Sequence, residues 1–112
     1  VIARDNHRMS THPELPPYRP SMGTINRQVT NAFLQHYRKH NGASPQKLIL
    51  TREQAEDLLT CQRYGAVAIP GAPPPRIDVC RDRPLEISDS TVGEVVAVDG
   101  AVTPLSDYEA LA

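Results

Sequence analysis

Gly42-Ala43-Ser44-Pro45-Gln46-Lys47-Leu48-Ile49-Leu50-Thr51-Arg52-Glu53-Gln54-Ala55-Glu56-Asp57-Leu58-Leu59, running on to Gly65, is the stretch whose reading decides the fold. Its first four residues break whatever precedes them. Lys47-Leu48-Ile49-Leu50 is a short apolar run of the kind a buried strand uses. Thr51 stands three residues before Gln54, the spacing of a capping box, in which the hydroxyl accepts from the Gln54 N–H and the Gln54 side chain reaches back. Glu53, Glu56 and Asp57 fall in the first two turns, where carboxylates meet the positive end of the helix dipole. Ala55, Leu58, Leu59 and Gln62 share one face at helical spacing. Arg63 then sits in the last turn, and Gly65 is placed to close the helix in the left-handed conformation. Strand, cap, helix and stop agree with one another.

Working outward, the residues before this unit divide in two. Residues 24–41 carry Ile25, Val29, Ala32, Phe33 and Tyr37 on one apolar face, with Thr24 as N-cap. Gln28, Asn31, Gln35 and Arg38 form the expected wet face. Arg38, Lys39 and His40 crowd the C-terminal turn, and Asn41-Gly42 ends it. Residues 1–22 show no helical or strand period. His12-Pro13-Glu14-Leu15-Pro16-Pro17-Tyr18-Arg19-Pro20 repeats the P-x-x-P spacing and is expected to be extended, close to polyproline II. Such a segment suits an aromatic groove on another protein, or a plain spacer. Val1 is an unusual first residue, and Met9 and Met22 are alternative starts.

After the central unit, residues 66–75 read as a loop, because Gly71-Ala72-Pro73-Pro74-Pro75 fits neither helix nor interior strand. Arg76-Ile77-Asp78-Val79-Cys80 and Leu85-Glu86-Ile87-Ser88 alternate around a charged turn, which suggests a hairpin. Glu94-Val95-Val96-Ala97-Val98 is the strongest strand. Asp99-Gly100 before Ala101-Val102-Thr103 predicts a second hairpin with a type I′ turn. Pro104 stops the last strand, and residues 106–112 form a short acidic tail with one helical turn. The expected fold is α+β: two helices and a small, mostly antiparallel sheet of three to five strands, with an extended arm over 1–22 and one domain over 23–112.

Composition narrows the function. One Phe, four Tyr and no Trp leave Val, Leu, Ile and Ala to build the core. Eleven prolines are about twice the usual share. The first 42 residues carry a formal charge of +4 with all four histidines, and the rest carry −5. That balance allows a basic arm to dock on an acidic body. No secretory signal or apolar membrane span is present, so cytosolic residence with reduced thiols is expected, and a Cys61–Cys80 bridge is the minor alternative.

No catalytic motif appears. Glycines 65 and 71 make no phosphate loop. His36 and His40 stand i, i+4, but Tyr37 occupies the place of the Glu in a zinc-protease helix, and no third ligand is near in sequence. Neither cysteine lies in a nucleophile motif, and both read as packing residues. Asp78, Asp82, Glu86 and Asp89 lie where solvated acids normally lie. No enzyme activity, cofactor or metal is expected.

The sequence Pro45-x-x-Leu48-x-Leu50-Thr51-x-Glu53, with Leu58 following, after a helix ending in a Gly-containing turn and before a later strand, resembles small structural and accessory proteins of tailed phages and prophages. The resemblance implies a virion or assembly role without catalysis. On that reading the arm, around Leu15, Pro16, Pro17 and Tyr18, packs on neighbouring subunits in the cytoplasm or in an assembled particle. A second reading is a small regulatory protein that binds another macromolecule, including nucleic acid through Arg27, Arg38 and Lys39.

Overall fold

A computed structural model describes residues 17–108 of the chain. The order is α1 (Pro20–Lys39), β1 (Lys47–Leu50), α2 (Arg52–Val67), β2 (Val79–Cys80), β3 (Arg83–Ile87), β4 (Glu94–Val96) and β5 (Val102–Pro104), then a 3₁₀ turn (Leu105–Tyr108). The strands form one sheet in the order β2-β3-β1-β4-β5. β1 runs parallel to β3, and the other pairings are antiparallel. The α+β expectation therefore holds, with five strands. The parallel pair requires a crossover, which α2 supplies.

The central stretch forms as its residues dictate. β1 has the predicted limits, with Leu48 and Leu50 buried on one face. The Thr51 Oγ1 accepts from the Gln54 N–H at 3.0 Å, and the Thr51 N–H donates to Gln54 Oε1 at 3.0 Å. α2 does not stop at Gly65. It runs through that residue to Val67 and is capped at Ala68 in the right-handed region. Gly65 is not among the residues with positive φ, so it does not close the helix in the left-handed conformation.

α1 starts four residues earlier than Thr24. Pro20 occupies its first position, where a missing N–H costs nothing and a fixed φ favours the helix. Arg19 is extended, as a residue before proline must be. Pro20, Ser21 and Met22 thus belong to α1 rather than to an extended arm, and Met22 is buried. At the other end, Asn41 has a φ of +55° and the Gly42 N–H donates to the Tyr37 carbonyl at 2.9 Å, which closes the helix with a left-handed turn.

Both hairpins exist, but the primed turn forms at the first rather than at Asp99-Gly100. Arg81 and Asp82, at φ +51° and +66°, connect β2 to β3 as a two-residue turn of the primed kind without any glycine. Between β4 and β5 only Gly100 has positive φ, at +92°. Val98, Asp99 and Gly100 make a three-residue loop, with the Gly100 N–H donating to Ala97 and the Ala97 N–H to Ala101. This is a type I turn with a glycine bulge, not the predicted type I′ turn.

The core lies between the helices and one sheet face. Ile25, Val29, Ala32 and Phe33 from α1 and Ala55 and Leu58 from α2 pack on Leu48, Leu50, Leu85, Val95 and Cys80, with Leu105 closing one end. Three α1 expectations fail here. Tyr37, expected on the apolar face, is 61 % exposed, and Gln28, expected on the wet face, is buried. Asn31, expected on the wet face, donates to the Tyr108 carbonyl at 2.8 Å.

Candidate interaction surface

The root of the arm is fixed at one point. Arg19 forms an ion pair with Asp57, a carboxylate almost wholly buried on α2, where the sequence suggested only a favourable meeting with the helix dipole. A buried charge is tolerated when it is paired, so this contact ties the first residue before α1 to the side of α2. Pro17 and Tyr18, directly before it, are exposed, and the Tyr18 side chain lies over the first turn of α1 beside Gly23. Of the four residues expected to make contact, Pro17 and Tyr18 therefore stand on the surface. Leu15 and Pro16 lie outside the described residues. Beside the anchor, Pro17, Arg19, Met22, Glu56 and Thr60 line a cleft of about 300 Å³.

The sheet supplies a second surface. Alternation along the strands sends Leu48, Leu85 and Val95 into the core, so their neighbours point the other way. Register then lines up two rows on that outer face. Val79 stands opposite Pro84, and Lys47 opposite Val96, which stands opposite Val102. The second row is Glu86, Ile49, Glu94 and Pro104. Val79 and Ile49 are half-buried and Val96 is buried, all three outside the cluster that joins the helices to the sheet, and the helices of the described residues pack on the opposite face. Lys47 Nζ reaches Glu86 Oε1 at 2.7 Å across the rows.

The groups considered for chemistry are built into the frame. His36 Nε2 accepts from the Val98 N–H at 3.0 Å, so its proton resides on Nδ1, which donates to the Ala43 carbonyl at 2.8 Å. The ring stacks on His40 with centroids 4.1 Å apart. His36 thus joins α1 to two loops, a role that its position on a polar helix end concealed. Among the described residues, no three His, Cys, Asp or Glu side chains gather to hold a metal ion. Cys61 and Cys80 are both free. Burial pushes both thiols above their ordinary range, aided at Cys61 by the Asp57 carboxylate, so both stay protonated and weakly nucleophilic. Cys61 Sγ donates to the Met22 carbonyl at 3.1 Å, and Cys80 packs in the core.

Basic groups gather along α1. The Arg81 guanidinium sits 5.5 Å from the centre of the Phe33 ring and donates to Thr30 Oγ1 at 3.2 Å. It thereby joins the helix that carries Arg27, Arg38 and Lys39. Among the described residues, no helix is long and apolar enough to cross a membrane. No family model, curated protein or solved structure matches the chain.

Proposed function

We propose that this is a non-enzymatic structural or assembly protein that binds neighbouring copies of itself, or other subunits, through the arm that ends at Arg19. The observation that carries this reading is the anchor. A buried Asp57 holds Arg19 while Pro17 and Tyr18, next in the chain, are presented to solvent. Fixing the root of a proline-rich segment lowers the entropy lost when it docks. The phage or prophage setting rests on the resemblance of residues 45–58 alone, and the cytoplasm or an assembled particle is the corresponding location.

Deleting residues 1–18 keeps Arg19, the Pro20 start and buried Met22, so the body should stay folded. Light scattering should then show loss of the assembled species. An unchanged assembly mass for the truncated chain would overturn the role of the arm.

A second reading, binding of nucleic acid by α1, draws support from the position of Arg81 beside Thr30 and Phe33. Salt separates the two. Phosphate contacts weaken steeply as counterions are released, whereas apolar and proline contacts do not. Retention of a single-stranded oligonucleotide at low salt, lost at high salt and on Arg81→Ala, would favour this second reading.

A further inference from the structure

We infer that the outer face of the sheet is a contact for the same face of a second copy, related by a twofold axis that lies across the strands. The inference rests on the assembly reading in kind but uses a different surface, one on the far side of the sheet from the helices.

The register decides the orientation. Lys47 belongs to the row of Val79, Pro84, Val96 and Val102, and Ile49 to the row of Glu86, Glu94 and Pro104. Ile49 stands directly between Glu86 on β3 and Glu94 on β4. A twofold axis across the strands, midway between the rows, lays each row over the other row of the mate. Each Lys47 then sits above the Ile49 of the second copy, flanked by its two carboxylates. The exposed Val102 of one copy lies over the Pro104 of the other, whereas Val96 is already buried within its own chain. A twofold axis along the strands would instead put Lys47 over Lys47, and like charges at an interface exclude that arrangement. The face is thus complementary to itself in one orientation and repulsive in the other. Glu94 is already held in place by the Thr91 hydroxyl at 2.9 Å, and Lys47 by Glu86. Val102, at 55 % exposure, has no cover among the described residues.

Size sets the strength. Five strands at ~4.8 Å spacing and about 10 Å of length give a footprint of roughly 240 Å². Stable complexes bury about 800 Å² per partner. The face alone therefore makes a weak dimer that depends on concentration.

The test is a charge exchange in the full chain, read by sedimentation over a concentration series. Lys47→Glu places three carboxylates together, and Glu86→Lys with Glu94→Lys places three cations together. Each variant alone should lose self-association by about tenfold or more. An equimolar mixture of the two should recover it, because every contact in the mixed dimer pairs opposite charges. Recovery also shows that both variants are folded. Loss in each variant without recovery in the mixture overturns the proposed orientation. If neither charge variant matters while deletion of residues 1–18 abolishes assembly, the arm reading stands and the face proposal falls. If that deletion strengthens association, the arm itself covers the face and a second copy does not. No association of the parent chain at any concentration sinks both.

Discussion

Gly93 offers the sharpest test of how the central unit is joined to the rest of the sheet. It is buried, has a φ of +96°, and a methyl group on it would fall 2.7 Å from Gln54 Nε2 and 2.8 Å from Oε1. Gln54 is no idle neighbour. Its Oε1 accepts from the Thr51 N–H at 3.0 Å, and its Nε2 donates to the Val92 carbonyl at 3.2 Å. Gly93→Ala therefore acts twice. The left-handed backbone costs an L-residue about 1–2 kcal/mol. Pushing the Gln54 amide aside forfeits two hydrogen bonds, worth about 0.5–1.5 kcal/mol each. The sum is about 3 kcal/mol. Gln54→Ala alone removes the same two bonds and costs about 1–2 kcal/mol, but it also vacates the space the new methyl needs. In the double variant only the backbone strain is added. The double-mutant cycle in urea should thus be sub-additive by about 1–2 kcal/mol. Strict additivity would refute the proposed packing of the amide on Gly93, and with it the joint between the α2 cap and β4.

The other perturbations follow from the same frame. Leu58→Ala should cost about 2–5 kcal/mol, since Leu58 is buried in the core, against about 1 kcal/mol for Thr51→Ala at the cap. Urea melts of both would reveal a misplaced α2 face if the order were reversed. Arg19→Ala should cost about 2 kcal/mol, below the ~3–5 kcal/mol of a fully buried pair because Arg19 is half exposed, and Asp57→Asn should recover part of that loss. Failure of Asp57→Asn to relieve Arg19→Ala would remove the anchor from the account. Asp99 accepts from the Ala101 N–H, which holds its carboxyl below the usual range, with His40 and Lys39 adding to the effect. A depressed folded value means this contribution is present above the ordinary carboxylate range and is lost as acid titrates the group, so protection of the β4–β5 hairpin amides against exchange, relative to their intrinsic rates, should fall below about pH 4. Asp99→Asn keeps the acceptor and should flatten that dependence.

Local signals carried most of the fold into view. β1, the Thr51–Gln54 box, the α1 stop at Asn41-Gly42 and both hairpins depend on neighbours within a few residues, and each formed at or near its expected place. What stayed hidden depends on distant partners. Asp57 reads as a surface acid until Arg19 is set beside it, and His36 as a polar helix end until Ala43 and Val98 arrive. Gly93 carried no turn signature, although it needs glycine both for its φ of +96° and for the close approach of the Gln54 amide across a loop. The parallel pairing of β1 with β3 joins residues more than thirty apart, and no periodicity reports it. Pro20 misleads for another reason. Proline forbids a helix interior but favours its first position, and the proline run around it weighed toward the arm. Of the proposed contacts, composition pointed to the Pro-Tyr segment, while the outer sheet face needed strand order before its two rows could be drawn.

A photoreactive side chain in place of Tyr18 tests the central claim most directly. Tyr18 is 61 % exposed and sits one residue before the Arg19 anchor, so the group would project from the fixed root of the arm. Irradiation of the purified, assembled protein should give an adduct of two chains, and its peptides should map to the surface of a second copy. The yield should fall when the Asp57 anchor is removed by Asp57→Ala, provided the melt shows a folded body. Adducts confined to a single chain, at concentrations where light scattering shows assembly, would contradict a subunit contact through the arm.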